Sequence, residues 1–286
     1  MISYEIIIRL RRFYPGACEL FSYVLKGIGI PAENLAESDS GLRISVYTGS
    51  AEKSNSWYRK IKKLNLKNVD IDRRSLRKSD WWNTWDEKVG PILLTPSVRV
   101  MPVGRKKTGR TAGEDVIYLN FSYAFGTGSH PTTRMMAELI YSKKGKFNTF
   151  FDIGTGTGIL SIMASKAGAS KIWSIDKDED SVKIAGYNFK VNNCCIDYLR
   201  QVDFGDFKAR KKFDFIAANL LTADLIKLRR KIISYLEKGG YLSVSGILES
   251  NYNIFRKNFC GNLRRLKVKS EGGWKAVLYK KPFSHP

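Results

Sequence analysis

The sequence predicts an α/β chain, a parallel sheet covered by helices on both faces, preceded by a small α+β domain. Three observations carry that prediction. From Phe150 onward, short apolar strand-like runs alternate with helix-like segments, as in strands joined by crossover helices. The first of those runs enters a turn containing Gly154, Gly156 and Gly158, and the next one ends on an acid, Asp176. Before them, residues 1–78 hold two runs of alternating apolar residues and a stretch of helical spacing, a mixture that one small sheet with helices on it would use.

Within that first part, residues 3–11 alternate around Ile6 and Ile8 like a half-buried strand, and Pro15-Gly16 opens an apolar-periodic stretch to Gly29, read as a helix. Residues 42–48 alternate again. Trp57, Ile61 and Leu64 then recur at helical spacing within residues 50–64, and a further strand lies around residues 69–71. With one more strand this is a split βαβ sandwich of ferredoxin type, in which residues 42–48 are one strand or half of a hairpin. Asp80-Trp81-Trp82-Asn83-Thr84-Trp85 reads as a short helix capped by Asp80, so residues 79–95 form a Trp-rich helical linker. Three strand-like runs follow at 92–94, 98–101 and 116–119, and the second domain is read as residues 96–286.

A length of 286 residues, 43% of them hydrophobic, is enough for two cores. No run of about 18 apolar residues is present and the N-terminus lacks a signal-peptide pattern, so a soluble, cytoplasmic protein is expected. Cys18, Cys194, Cys195 and Cys260 have no CxxC spacing, so reduced thiols and no bound metal are expected. The formal charge is +22; residues 1–100 hold 17 basic and 11 acidic side chains, leaving 32 and 16 for the rest. Such an excess serves a solvated surface or a nucleic-acid contact. Its clusters, Lys208 to Lys212 and Arg229-Arg230-Lys231, have no aromatic residues interleaved in sequence.

The strongest chemical signal is Asp152-Ile153-Gly154-Thr155-Gly156-Thr157-Gly158, leading into a helix over 160–167. Glycines there let the backbone turn tightly and approach a ligand. Asp176 lies 22 residues beyond Gly154, where a carboxylate can accept hydrogen bonds from both hydroxyls of a ribose. The spacing is DxGxGxG, not the GxGxxG of dinucleotide folds, and it resembles the first motif of the Rossmann-like methyltransferases that use S-adenosylmethionine (AdoMet). A carboxylate at Asp152 suits a cofactor with an amino-acid tail better than a pyrophosphate, which it would repel. Asp203, after the third strand of this series, sits where this fold holds the adenine amino group. The run 213–218 ends at Asn219, which as a strand-end residue faces the transferred methyl or is simply a turn residue.

Upstream lies Ala124-Phe125-Gly126-Thr127-Gly128-Ser129-His130-Pro131-Thr132-Thr133-Arg134. Together with the glycine loop, Ala218-Asn219-Leu220-Leu221, Ser245-Gly246-Ile247-Leu248, the Trp-rich linker and Trp274, this string closely resembles the ribosomal protein L11 methyltransferase family over nearly the whole chain. The resemblance implies a cytoplasmic enzyme that methylates the α-amino group and lysine ε-amino groups of L11, with residues 1–78 recruiting the substrate. It also implies AdoMet held by Thr133, Gly154, Asp176 and Asn219. One departure is Asn120-Phe121-Ser122-Tyr123, where the family has Asp-Pro-Gly, so the approach to the loop is differently shaped.

From the residues themselves, the loop of Gly126, Gly128 and Pro131 reads as a lid, with Thr132 and Thr133 either capping a helix or binding a carboxylate. His130 is a general base or an orienting residue. Asn219 is expected to position the amine and Phe125 to exclude water. Two rivals share the fold: an RNA methyltransferase, or an AdoMet-binding, ribosome-associated factor without catalysis. A monomer is expected, with at most weak RNA or ribosome contact.

Overall fold

A computed structural model describes residues 2–11, 21, 24, 25, 27–30, 35–37, 43–66, 68–77, 91–103, 115–120, 126–259 and 261–283. The chain separates into two compact units, Met1–Trp85 and Asp86–Pro286. The linker helix expected at residues 80–85, Phe125, and the altered turn beyond Asn120 lie outside the described residues.

The first unit is a four-stranded antiparallel sheet of β1 (Ile2–Leu10), β2 (Leu35–Glu37), β3 (Arg43–Thr48) and β4 (Val69–Arg77), in the order β2-β3-β1-β4. That order belongs to the split βαβ sandwich. The uncertain strand is half of a hairpin: β3 pairs with the three-residue β2, too short to register as a period. Helix α1 (Ala51–Lys63) is capped by Ser50, whose hydroxyl accepts from Lys53 N at 3.2 Å. It buries Trp57 and Ile61 in one core with Ile6, Ile8, Ile44 and Val46, the alternate residues of β1 and β3. On the sheet, the buried Glu5 accepts from Ser45 Oγ (2.7 Å), Tyr47 OH (3.0 Å) and Arg74 Nε (2.7 Å), side chains of the two neighbouring strands.

The second unit contains a seven-stranded sheet and a three-stranded one. The large sheet has β8 (Thr149–Ile153), β9 (Lys171–Asp176), β10 (Tyr198–Gln201), β11 (Phe213–Asn219), β12 (Leu236–Leu248), β13 (Arg264–Glu271) and β14 (Trp274–Lys280), in the order β10-β9-β8-β11-β12-β14-β13. All pairings are parallel up to β12, whereas β14 runs antiparallel to both β12 and β13. Crossovers run through α3 (Ile159–Lys166), α4 (Glu179–Val191) and α5 (Thr222–Ser234), with α6 (Tyr252–Phe259) before β13. Phe150 and Phe151, adjacent on β8, point to opposite faces, as a period of two requires. Phe150 packs with Phe147 and Phe215 in one core; Phe151 joins Phe204, Phe207, Phe213 and Tyr235 in the other. Burial on both faces is why these strands read as continuous apolar runs.

β12 begins earlier than the Gly239-Gly240 pair implies, because Leu236 already pairs with Phe213 and the strand accommodates Gly239 at φ +78° by a shift of register. β13 was not legible as a strand, since Arg264, Arg265, Lys267 and Lys269 make it a basic edge.

The small sheet is β5 (Ile92–Thr95), β6 (Val98–Pro102) and β7 (Asp115–Leu119), in that order, and helix α2 (Pro131–Tyr141) buries Met135, Met136, Leu139 and Ile140 in the same core. β7 has no strand on its outer side among the described residues. Asn192, the C-cap of α4, serves there instead: its Oδ1 accepts from Tyr118 N (2.8 Å) and its Nδ2 donates to Tyr118 O (2.6 Å). Asn188, one turn earlier, accepts from Asn120 N (2.8 Å) and donates to Thr157 O (2.9 Å), connecting the end of β7 to the glycine loop.

Candidate functional site

The glycine loop follows directly from the end of β8. Gly154 N and Thr155 N both donate to Ile175 O at 3.0 Å, holding the turn against the end of β9. Gly158 caps α3 at φ +82°, and a Cβ on it would lie 2.5 Å from the Phe189 ring, so only glycine lets α4 pack this close to the start of α3. Asp176 closes the arrangement. Its Oδ2 accepts from Gly156 N (2.9 Å) and its Oδ1 from Asp178 N (3.1 Å), while its carbonyl accepts from Val202 N (2.8 Å). Each carboxylate oxygen keeps a lone pair for a ligand.

Asp152 is fully buried behind the loop. Its Oδ2 accepts from Thr155 Oγ1 and Ser161 Oγ, both at 2.8 Å, and Oδ1 has no hydrogen-bond partner among the described residues. Burial pushes its pKa up to about 6, against the two hydroxyl bonds that lower it and with help from the charge of Asp176. The folded value lies above the ordinary one of about 4, so the folded state binds more protons between these values. The stabilisation from this group is therefore complete below about pH 4 and lost as pH rises through about 6. Asp152→Asn, neutral throughout, is expected to lose about 1–1.5 kcal/mol less stability than the parent between pH 5 and 7.5. Urea unfolding at the two pH values measures this, and equal losses in both proteins would refute it.

Across from the loop stands the N-terminus of α2. The residue that caps it is His130, not Thr132 or Thr133: Nδ1 accepts from Thr132 N at 3.3 Å and lies 2.7 Å from Thr132 Oγ1. Asn219, the last residue of β11, donates from Nδ2 to that same Oγ1 at 3.2 Å, so Thr132 joins the strand end to the imidazole. Burial, and then the Arg134 guanidinium, hold His130 below its ordinary pKa, and its ring meets Trp274 edge-on at 5.2 Å. A neutral ring with Nδ1 accepting carries its proton on Nε2. The preceding loop is pinned by Thr157 Oγ1, which donates to Gly126 O at 2.6 Å.

These groups share one cleft of about 580 Å³ at the carboxyl ends of the strands. His130, Gly154, Gly156, Asp176, Asp203 and Asn219, all expected from the sequence, line it. Asp152, Gly158 and Thr133 do not; the Thr133 hydroxyl is buried and has no partner among the described residues. Among the lining residues missed by the sequence reading are Thr132 in its linking role, Lys177, Ser181, Asp224 and Lys227. Asp224 and Lys227 sit in the first two turns of α5, just after Asn219, and that position was the available signal. No group of side chains able to hold a metal ion occurs among the described residues.

A parallel sheet with a reversed strand inserted before its edge, a glycine turn after its first strand and an acid at the end of its second, bonded to that turn, define a Rossmann-like, AdoMet-dependent methyltransferase. A model of the family described as ribosomal protein L11 methyltransferase (PrmA) matches residues 27–282. The chain belongs to the ribosomal protein L11 methyltransferase family. It is 32% identical over 215 residues to the ribosomal protein L11 methyltransferase of Dictyoglomus thermophilum, covering 74% of this chain and 69% of that protein. With the one from Caldanaerobacter subterraneus subsp. tengcongensis it shares 31% over 257 residues, 87% and 82% of the two chains. Among solved structures, ribosomal protein L11 methylase from Lactobacillus delbrueckii subsp. bulgaricus superposes with a TM-score of 0.62 at 25% identity, covering 68% of this chain and all of that one.

Proposed function

We propose that this enzyme methylates the α-amino group and lysine ε-amino groups of ribosomal protein L11 in the cytoplasm, and that the first unit recruits the substrate. The observation that carries this reading is the placement of Asn219 and Asp176 in one cleft, in a chain of this family. Among the described residues no helix is long and apolar enough to cross a membrane.

The residues present fit AdoMet. Asp176 offers lone pairs for the ribose hydroxyls, Asp203 an acceptor for the adenine amino group, and the turn at Gly154 and Gly156 a backbone free of side chains. The unpartnered Oδ1 of Asp152 is the negative charge behind that turn, suited to the cofactor's amino-acid end, and Thr133 supplies a spare hydroxyl. The cofactor brings an electrophilic methyl group on a sulfonium. The protein has then to present a neutral amine in line with it.

A free lysine, with a pKa near 10.4, is protonated at neutral pH, and moving it into a cleft lined by Leu220, Leu221 and Trp274 favours the neutral form. Because Asn219 spends Nδ2 on Thr132, its Oδ1 is left to accept an N–H of the amine and aim the lone pair. His130 holds Thr132, and so Asn219, in place; with its proton on Nε2 it acts as a positioning residue and not as the base. Phe125 is assigned the exclusion of water, from its place beside Gly126 in the sequence.

Asn219→Ala is expected to fold, to bind AdoMet within a few-fold of the parent and to lower kcat about tenfold to thirtyfold. Transfer of labelled methyl groups to purified L11, with mass spectrometry of the product, measures it. Unchanged kcat would remove Asn219 from the mechanism; label on ribosomal RNA in place of L11 would overturn the substrate.

A further inference from the structure

A second hollow, of about 620 Å³, lies in this unit, and none of its lining residues lines the cleft. Its walls come from three separate stretches: Arg229, Arg230 and Lys238 around the end of α5, Lys257 on α6, and Lys281 with Phe283 after β14. Five cations therefore face one space. Arg229, Arg230, Lys238 and Lys257 make no ion pair among the described residues. The Lys281 ammonium is pushed below its ordinary value by burial and then by the charges of Lys212 and Lys238, only partly offset by Glu237. Like charges gathered with only partial compensation raise the potential of the hollow and draw an anion.

The hollow also has a ring. Phe283 is 72% exposed, although its backbone neighbourhood is fixed: Gly239 N donates to Lys281 O and Lys281 N to Gly240 O, both at 2.9 Å. Gly239, at φ +78°, gives the ring its seat, since a Cβ there would lie 2.4 Å from two ring carbons. The Lys280 ammonium sits 5.4 Å from the ring centroid. An anchored, exposed aromatic ring among cations joins the two elements with which proteins bind single strands, a stacking surface for a base and charges along the backbone.

We propose that this hollow binds single-stranded RNA, with a base stacked on Phe283 and phosphates on Arg229, Arg230, Lys238 and Lys257. Charge and ring select a nucleic-acid strand; the choice of RNA rests on the proposed substrate, a protein of the ribosome. The site holds RNA without modifying it, so it is separate from the methyl-transfer reaction and accounts for part of the +22 charge.

Fluorescence anisotropy with a 5′-labelled oligouridylate of about twelve nucleotides tests the proposal, using the full chain from 50 to 300 mM KCl. Four phosphate contacts predict a slope of log K against log [salt] near about −3. Phe283→Ala is expected to weaken binding about tenfold with the slope retained, as loss of one stacked base does. The double variant Arg229→Glu, Lys257→Glu is expected to lose at least about tenfold and to show a shallower slope. Both variants change exposed or half-buried surface, and methylation of free L11 should be unaltered. An RNA affinity that neither change reduces would overturn the proposal. So would equal binding of inorganic polyphosphate with no effect of Phe283→Ala, or tighter binding of an acidic peptide than of RNA. Since the assay needs no methyl transfer, its failure and a failure of the L11 assignment are read separately.

Discussion

Replacing Asp176 by alanine should weaken AdoMet binding about 100-fold or more, as read by calorimetric titration. The carboxylate does two things at once. It accepts from Gly156 N and Asp178 N, which fixes the glycine turn against the end of β9, and it faces the cleft with lone pairs left for the ribose. Hydrogen bonds to a charged group contribute about 1.5–3 kcal/mol each, so loss of two from the ribose hydroxyls already amounts to about 3 kcal/mol, or a factor of about 100 in Kd. Of the freed N–H groups, that of Asp178 is on an exposed residue, and Gly156, although buried, lines the cleft, where water can replace the carboxylate, so unfolding should be little changed. Asp176→Asn separates the two roles. It keeps one acceptor oxygen and should fall between parent and alanine variant, whereas a Kd within threefold of the parent for Asp176→Ala would remove Asp176 from the cofactor site.

The second large effect is expected at Gly246, where β12 passes the end of β11. The residue sits at φ +86°, and a Cβ built on it would be 2.0 Å from the carbonyl oxygen of Leu220 and 2.7 Å from its carbonyl carbon. Those are backbone atoms, held by Leu220 N donating to Ser245 O at 3.1 Å, so no side-chain rotation relieves the clash. Gly246→Ala must push the segment after Asn219 away from β12. The cost combines an unfavourable backbone conformation with a broken strand end, about 3–5 kcal/mol, at the upper end for single substitutions. Denaturant unfolding should show a lower midpoint. The protein that remains folded should lose turnover about tenfold to thirtyfold, as Asn219→Ala does, because Asn219 is displaced from Thr132 and from the amine. A variant with the parent's midpoint and rate would show that this crossing tolerates a side chain.

Much of the methyltransferase half was legible because its signals are local. β8, the glycine turn and Asp176 fall within 28 residues, numbers 149–176, and each has one physical meaning there. The reversed edge was half legible: Trp274 to Tyr279 alternates, but β13 presents a row of basic residues and pairs only through its neighbour. Its two-residue turn, Gly272-Gly273, has positive φ at both positions, which suits a tight hairpin and could have announced the missing strand. The Asn219–Thr132–His130 chain was not legible, since it joins residues 87 apart and depends on which of several hydroxyls and rings reaches the helix start. The same holds for the basic hollow. Read along the sequence, the cationic clusters have no aromatic among them, and it is the fold that brings Phe283 beside Arg229 and Lys257.

The pairing of Asn192 with Tyr118 has a consequence for the behaviour of the protein in a crowded cell. An outermost strand with bare N–H and C=O groups is a template on which another chain can add a strand and begin an aggregate. A carboxamide that donates to one carbonyl and accepts from the amide of the same residue imitates, with four atoms, the partner that such a strand seeks. Placed on a helix, it closes that position of β7 without extending the sheet, and so without creating a new edge in turn.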